Sequence, residues 1–311
     1  MRSLWPRYTL LPPLPFAAYF LVVAGLGRVR VDHVIMVLLV PALAYGNAAT
    51  KKLCVGTYPM ALVGLLYDAM GPLKNLGLTP ENVHNCDLRA VELALFGVGS
   101  GAERMTLQDW FLEHHSPVLD VYFAIPYGLY IFAALGFGVY LYFRDFRRLQ
   151  LFAWGFFVVN VVGYVTYHLY PAAPPWYYHA HGCVVDLTVS ASEGPALARV
   201  DALTGLGYFA GLYGRSNAVF GAMPSLHAAY PTLILLAGWR VLRWPGRSLG
   251  IVFLLSMAIG AVYLDHHWVI DVLVGLGYAL AAFGVVALAA RRLGRVPVPG
   301  RVEPAPEAST P

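Results

Sequence analysis

Long apolar runs separated by short, arginine-bearing segments dominate the second part of the chain. They occupy residues 118–143, 151–170, 228–241, 249–264 and 268–290. Most of these runs approach the roughly 20 apolar residues that a helix needs to cross a bilayer. The pattern therefore predicts an all-α bundle of transmembrane helices.

The first third of the chain follows the same pattern less regularly. Residues 10–26 and 34–49 each form a candidate span, whereas residues 53–70 are apolar but interrupted by glycine, proline and aspartate. That last run either spans the membrane or lies in its interface. We expect about six core spans, with one or two more at the N-terminus.

Two parts of the chain lack long apolar runs. Residues 71–116 are the most polar stretch and predict a surface region with short amphipathic helices, one of them around residues 88–96. Residues 296–311 are polar and rich in proline, which predicts a disordered tail.

The composition agrees with a membrane protein. Of 311 residues, 59% are hydrophobic and 12% are charged, against about 25% charged in a typical soluble domain. The net charge of +4 does not indicate nucleic-acid binding, because the arginines cluster between apolar runs as the positive-inside rule predicts. We expect no cleavable signal peptide, since the first apolar run has no small-residue cleavage site followed by a soluble chain.

Arginine clusters and two of the histidines fall on opposite sides of this scheme. The clusters at 144–148, 240–247 and 291–295 all lie at one membrane surface. His227 and His267 are separated by two apolar runs, so both lie at the other surface. Because positive loops stay in the cytoplasm, the histidine-bearing face is predicted to be the non-cytoplasmic face of a plasma or inner membrane.

His267 and Asp271 are four residues apart, which on a helix places them on one face and within reach of a hydrogen bond. An aspartate that accepts from one imidazole nitrogen fixes the tautomer and leaves the other nitrogen free as a nucleophile or base. We expect Asp265 to cap the last helix, which would place His267 in its first turn. His266 would then point about 100° away and have a different role.

Ser225 and His227 mark the start of another helix. A serine at this position is a good N-cap, and the first turn of a helix offers free amides and a positive dipole end to a phosphate. His227 in that turn would be placed to give a proton to a departing oxygen. One neutral histidine that attacks and one protonated histidine that donates form a coherent arrangement for phosphoryl transfer.

Other roles for the histidines stay open on the sequence alone. A histidine in a membrane helix can be a packing residue, and several histidines are potential metal ligands, although no H-E-x-x-H or cysteine–histidine spacing occurs. These are His114, His115, His179, His181, His266 and His267. A serine protease built on Ser225 is disfavoured because no G-x-S-x-G motif surrounds that serine. We expect no metal and no other cofactor.

Three cysteines occur, and none has a C-x-x-C partner. Cys86 and Cys183 would pair if both faced an oxidising compartment. The sequence nevertheless favours two unrelated thiols, since nothing in their spacing indicates a pair.

The two histidine motifs resemble those of a known family. Pro-Ser-Leu-His at 224–227 and His-x-x-x-Asp at 267–271 are similar to the second and third motifs of the type 2 phosphatidic acid phosphatase (PAP2) superfamily. The residues around both motifs, and the proline- and aromatic-rich run at 170–177, look most like its inositol phosphorylceramide synthase (aureobasidin-resistance) branch.

The resemblance covers residues 118–290 and is weak before them. It implies a PAP2-like six-helix catalytic membrane core at 118–295, preceded by an N-terminal membrane and interfacial region at 1–117 and followed by the tail at 296–311. It also implies metal-independent phosphotransfer. His267 would form a phosphohistidine, Asp271 would orient it, and His227 would protonate the leaving alcohol.

The chain departs from the commoner family pattern at the groups that bind phosphate. Gly260 and Ala261 stand where the third motif usually has serine and arginine, and the first motif, with its lysine and arginine, is missing. Other groups must then meet the phosphate and the rest of the substrate. Our candidates are Arg215, Ser225, Tyr170 and Trp176, with Arg199 and the pair Lys51-Lys52 as less favoured cations.

The loss of those arginines argues against simple hydrolysis. We therefore predict a membrane-embedded lipid phosphotransferase that moves a phospho-headgroup, such as phosphoinositol, from a phospholipid donor to a lipid hydroxyl, such as that of a ceramide. The alternatives are a lipid phosphate phosphatase acting on a phosphomonoester or pyrophosphate lipid, and a non-catalytic lipid-binding or transport protein. The expected partners are membrane lipids and not nucleic acids.

Overall fold

The computed structural model describes residues 12–189, 194–214 and 219–292, and α-helices form most of that part of the chain. Arg215 and the predicted tail at 296–311 lie outside the described residues. The described α-helices are α1 (Leu14–Gly25), α2 (Val31–Tyr45), α3 (Ala48–Leu73), α4 (Cys86–Phe96), α5 (Leu107–Glu113), α6 (Pro117–Arg144), α7 (Phe146–Leu169), α8 (Pro175–His181), α9 (Gly194–Thr204), α10 (Tyr208–Tyr213), α11 (Leu226–Gly238), α12 (Trp244–Tyr263) and α13 (Val269–Arg292).

Five of these helices, α3, α6, α7, α12 and α13, are long and apolar enough to cross a membrane. Helices α1, α2 and α11 are apolar but shorter. Large apolar side chains such as Phe132, Val139 and Leu280 are exposed on the outside of the bundle, as expected of a surface that contacts lipid tails. The prediction of an all-α, polytopic membrane bundle is confirmed.

The ambiguous run at 53–70 is part of one continuous helix, α3, which packs along α7. Pro59 interrupts its hydrogen-bond ladder, because proline has no amide proton to give to the carbonyl of Val55. The side chain of Gln150 on α7 donates to that carbonyl instead, at 2.9 Å. Helix α3 therefore packs against the predicted catalytic core, although it precedes residue 118.

Helix α11 lies at the centre of the bundle, with α6, α7, α12 and α13 packed around it. Its closest neighbour is α13, where Gly275 faces the backbone of Ser225. A Cβ atom at Gly275 would overlap the carbonyl oxygen of Ser225, so only glycine allows this approach. The two histidine motifs, at the starts of α11 and α13, are brought together by this contact.

The short helices α4, α5, α8, α9 and α10 cover the end of the bundle where α11 and α13 begin. A disulfide joins Cys86 at the start of α4 to Cys183 just after α8, so our expectation of unrelated thiols is wrong. The two cysteines are 97 residues apart in sequence. Pairing of the backbone at His84 with Pro171 and Ala173 brings their neighbourhoods together, and no local spacing could reveal that pairing.

The short helices α4, α5, α8, α9 and α10 are called the cap below. His179, which lies between two carboxylates, connects this cap to the bundle. The Nε2 atom of His179 on α8 lies 2.8 Å from Asp109 on α5, and its Nδ1 atom lies 2.8 Å from Asp265, which follows α12. Burial alone would lower the pKa of His179, but the hydrogen bonds to Asp109 and Asp265 raise it from 6.5 to about 9. The imidazolium therefore links α5, α8 and the segment between α12 and α13 at neutral pH.

The pKa shift of His179 predicts a pH-dependent stability. A raised pKa in the folded state contributes stability that is complete below pH 6.5 and is lost as the pH rises through about 9. The corresponding free energy of unfolding is at most about 3 kcal/mol. We expect the melting temperature in detergent to fall as the pH rises across this range, and His179→Gln to remove most of that dependence.

His181→Gln is the matched control, because His181 is exposed two residues further along α8 and should keep the wild-type profile. A His179→Gln protein whose melting temperature varies with pH as much as that of the wild type would refute the assignment.

Candidate active site

The two histidines predicted at one membrane surface are in direct contact. His227 is the second residue of α11, and His267 lies just before α13. The Nδ1 atom of His227 is 3.0 Å from the Nε2 atom of His267. His267 is buried, with 5% of its surface exposed.

A backbone carbonyl orients His267. Its Nδ1 atom lies 2.9 Å from the carbonyl oxygen of Ala222. Since a carbonyl oxygen can only accept a hydrogen bond, Nδ1 carries the proton. The Nε2 atom then presents its lone pair to His227, whose Nδ1 proton it accepts.

Asp271 does not make the hydrogen bond predicted from its spacing. Its Oδ2 atom is 3.6 Å from Nδ1 of His267 and accepts the backbone amide of Trp268 at 2.8 Å. Helix α13 begins at Val269, so His267 precedes the helix and the i to i+4 geometry does not apply to the pair. The carboxyl group of Asp271 is a close neighbour of His267, while the Ala222 carbonyl holds the ring.

The run at 170–177 fixes the position of that carbonyl. The amide of Ala222 donates to the carbonyl of Ala172 at 3.1 Å, and Ala172 in turn donates to Phe220 at 3.0 Å. The indole of Trp268, next to His267, donates to the carbonyl of Ala173 at 3.0 Å. The segment after α7 therefore frames the site through its backbone.

Glu92, which the sequence did not single out, caps helix α13. Its carboxylate accepts the amide of Val269 at 2.8 Å and that of Ile270 at 3.3 Å. Gln108 donates both to Glu92, at 3.2 Å, and to the carbonyl of His267, at 3.1 Å. The predicted amphipathic helix at 88–96 exists as α4. The sequence alone cannot show whether a glutamate on such a helix is exposed to solvent or is buried and caps another helix.

The prediction that Asp265 caps α13 is wrong. Asp265 has a left-handed backbone, with φ of 64°, and its carboxylate is bonded to His179. The chain turns there, so that the carbonyl of Ala261 accepts the amides of both His266 and His267, at 3.1 and 3.0 Å. Ala261 is itself completely buried.

Ser225 caps α11, as predicted. Its hydroxyl accepts the amide of Ala228 at 3.4 Å, while its own amide donates to the carbonyl of Asp271 at 3.0 Å. Within the described chain, the amides of Leu226 and His227 have no hydrogen-bond partner. They form the positive end of α11 beside the histidine pair.

A cavity of about 510 Å³ opens from the histidine pair into the bundle between α3, α6, α7 and α11. His227 lies between the rings of Tyr127 and Tyr130, at centroid distances of 4.3 and 4.4 Å. Tyrosines line much of the wall. They are Tyr67, Tyr127, Tyr130, Tyr164, Tyr167, Tyr213 and Tyr230. The remainder of the wall is mostly apolar, as suits a lipid.

Of the three described residues that were predicted to contact substrate, one lines the cavity and two do not. Trp176 lines the cavity. Tyr170 is not among the lining residues and stacks on His84, with ring centroids 3.8 Å apart. Ser225 is buried and acts as the helix cap.

Neither lysine nor arginine occurs among the described residues that line the cavity. Arg199 is engaged elsewhere, since its Nε and Nη2 atoms bind Asp120 at 3.0 Å each. Lys52 lies over Tyr142 near the turn between α6 and α7, at the far end of the bundle from His227. Arg215 stays a prediction.

His266 is a third histidine at the cavity. Its Nδ1 atom lies 2.9 Å from the carbonyl of Leu264, and burial lowers its pKa to about 3, so the ring is neutral. His179, by contrast, is held by its two carboxylates. In the described parts of the chain, no three potential metal-ligating side chains cluster together.

The sequence is similar to those of known proteins. A family model described as the PAP2 superfamily matches residues 98–285. A phosphoinositol dihydroceramide synthase from Bacteroides thetaiotaomicron is 35% identical over 85% of this chain and 86% of its own length. No solved structure matches significantly.

Fungal relatives cover less of the chain. The inositol phosphorylceramide synthase of Candida albicans is 28% identical over 53% of this chain and 36% of its own length. The catalytic subunit of the Saccharomyces cerevisiae enzyme of that name is 30% identical over 60% of this chain. The chain spans 45% of that protein, less than half of either fungal relative.

Removing the Glu92 cap should destabilise the site. Glu92→Ala leaves the amides of Val269 and Ile270 without an acceptor, and an unsatisfied buried donor costs about 1–3 kcal/mol. We expect a lower melting temperature in detergent, with a smaller loss for Glu92→Gln, which keeps one acceptor oxygen. Glu103→Ala is the control, because Glu103 is exposed in the segment between α4 and α5. Equal melting temperatures for Glu92→Ala and Glu103→Ala would contradict the capping role.

Proposed function

This chain belongs to the PAP2 superfamily, in its inositol phosphorylceramide synthase branch, and on that premise we propose that it transfers phosphoinositol from a phospholipid to the hydroxyl of a ceramide-type lipid. The names of its relatives support the donor headgroup and the acceptor. The observation that carries the proposal is the contact between His227 and His267 in the wall of a mostly apolar cavity of about 510 Å³.

In the first half-reaction, Nε2 of His267 attacks the phosphorus of the donor. A bond forms between that nitrogen and phosphorus while the bond from phosphorus to the diacylglycerol oxygen breaks. His227, in its protonated form, gives a proton to the departing oxygen, and diacylglycerol is released. The phosphoinositol group is then held on His267 as a phosphoramidate.

In the second half-reaction, the hydroxyl of the acceptor lipid attacks the same phosphorus. His227, now neutral, takes the hydroxyl proton, and the bond between phosphorus and His267 breaks. Both histidines return to their starting protonation states, so the cycle needs no cofactor. Asp271, close to Nδ1 of His267, stabilises the positive charge that develops on that ring during attack.

The phosphate charge has several candidate partners. The free amides of Leu226 and His227 at the start of α11 are suitable donors to a phosphate oxygen. We also retain Arg215 as the cation, since its sequence neighbours Tyr213 and Val219 line the cavity. Helix dipole, amides and one guanidinium together would replace the arginines of the commoner motif.

Two observations support a non-cytoplasmic active site. Disulfides form in oxidising compartments, and the Cys86–Cys183 bridge lies in the cap that covers the histidine pair. Arg144 ends α6 and Arg243 immediately precedes α12, so both arginines lie at the membrane surface opposite the histidine pair. The positive-inside rule assigns such a surface to the cytoplasm.

Substitution of the histidines tests the chemistry. With phosphatidylinositol and ceramide in mixed micelles, His267→Ala should abolish formation of inositol phosphorylceramide. His227→Ala should slow it by about 10²–10⁴-fold, the usual contribution of general acid–base catalysis. His181→Ala is the control. Product would be measured by mass spectrometry of extracted lipids, with and without ceramide.

Each alternative has its own outcome in that assay. Release of inositol phosphate at the same rate without ceramide would show that water is the acceptor and would overturn the transfer. Release of inorganic phosphate from phosphatidic acid, with no transfer from phosphatidylinositol, would identify a lipid phosphate phosphatase. Lipid turnover that is unchanged in His267→Ala would exclude catalysis at this site and favour a binding or transport protein.

Cysteine labelling tests the orientation in the membrane. Glu81→Cys places an exposed thiol on the active-site side, and Arg147→Cys places one at the turn between α6 and α7. A membrane-impermeant maleimide added to intact cells should label only Glu81→Cys, because the native Cys54 is buried and the other two cysteines are paired. Labelling of Arg147→Cys alone would place the site in the cytoplasm.

A further inference from the structure

One ring nitrogen of His266, Nε2, is buried without a hydrogen-bond partner among the described residues. Its ring lines the cavity and is only 6% exposed. The Nδ1 atom is bonded to the carbonyl of Leu264, whereas the Nε2 atom is buried without a hydrogen-bond partner in the described chain. Buried polar atoms are nearly always paired, and an unpaired one costs free energy.

The chemistry of that atom follows from its partner on the other side of the ring. A carbonyl oxygen accepts, so Nδ1 carries the proton of the neutral ring and Nε2 has only a lone pair. It can therefore accept a hydrogen bond and cannot donate one. Its natural ligand is a hydroxyl group.

The ring is held in this orientation from several sides. Tyr127 and Tyr213 have ring centroids 5.2 and 4.9 Å from it. Gly194, in a left-handed conformation, packs over the ring, and a Cβ atom there would lie 3.0 Å from Cε1 of His266. A lone pair fixed in this way is ready to select a substrate without reorganisation.

The catalytic pair does not use this atom. His267 and His227 contact each other through other nitrogens, and the adjacent position of His266 directs its side chain to the wall beside Tyr213. Its placement is that of a group which recognises substrate next to the reacting phosphorus.

We propose that Nε2 of His266 accepts a hydrogen bond from a substrate hydroxyl and thereby selects for hydroxyl-bearing substrates. This proposal rests on the proposed function, which supplies two sources of that hydroxyl. One is the polyol headgroup of the donor, and the other is the alcohol of the acceptor lipid. His266 is in this account a specificity residue and takes no part in bond making.

Kinetics of two variants test the proposal and separate the sources. His266→Phe keeps a ring without the acceptor, and His266→Gln offers a carbonyl oxygen in place of Nε2. If the headgroup binds there, His266→Phe should raise KM for phosphatidylinositol about tenfold, the cost of one lost hydrogen bond of about 1.4 kcal/mol, and leave KM for ceramide unchanged. If the acceptor binds there, the reverse holds. His266→Gln should restore part of the loss in either case.

A binding measurement without turnover keeps the test independent of the transfer reaction. Mixed detergent micelles that contain phosphatidylinositol should raise the melting temperature of the wild type more than those that contain phosphatidylcholine. Mixed micelles that contain ceramide provide the acceptor arm. His266→Phe should lose the difference in one arm, while the control His181→Phe should retain both.

The outcomes distinguish the two proposals. A wild type that makes no inositol phosphorylceramide overturns the proposed function, whereas the binding arms still report on His266. Unchanged KM values and unchanged lipid-induced melting shifts in His266→Phe overturn the role of His266 alone. A fall in kcat with neither KM altered would mean that the residue is structural and would also overturn it.

Discussion

The hydrogen bond from Nδ1 of His267 to the carbonyl of Ala222 is the constraint on which the site depends. It decides which nitrogen of His267 has the lone pair, and hence which atom attacks in the proposed mechanism. The surrounding structure holds its two ends. Pairing with Ala172 fixes the carbonyl, and Glu92 and Gln108 fix the loop that carries His267. Gly275 allows α11 and α13 to approach closely enough for both ends to meet.

Because the bond to Ala222 leaves the lone pair on Nε2 of His267, it also explains why that nitrogen accepts a hydrogen bond from His227. Nε2 of His267 accepts from His227 at 3.0 Å, a separation that leaves no room for a phosphorus atom between them. A phosphate that reaches this nitrogen must therefore break this hydrogen bond and displace the His227 ring, which lies between the rings of two tyrosines. The proposed nucleophile is bonded to the backbone. The proposed proton donor contacts side chains instead, namely the rings of Tyr127 and Tyr130, the Tyr127 hydroxyl at 3.4 Å and His267 itself. This asymmetry suits a residue that must meet a leaving oxygen in one step and an entering one in the next.

Much of the fold follows from sequence, and the limits of prediction have physical causes. Apolar run lengths predicted the spans, and counting two runs between His227 and His267 placed both at one end. The Ser225 cap was also predictable, because its hydroxyl accepts from an amide only three residues away. Contacts between residues that are distant in sequence could not be predicted. Cys86 and Cys183, the Ala222 carbonyl and the Glu92 cap all depend on how separate segments pair. The Asp271 prediction failed because the helix begins after His267, which spacing alone cannot reveal.

The most direct test of this account is the position of the phosphoryl group on the trapped enzyme. Purified protein incubated with phosphatidylinositol and no acceptor, quenched in alkali and digested, can be mapped by mass spectrometry and phosphorus NMR. The account predicts a phosphoramidate at Nε2 of His267, because Nδ1 is occupied by its bond to Ala222. An adduct at Nδ1, an adduct on His227, or diacylglycerol release with no adduct would contradict it.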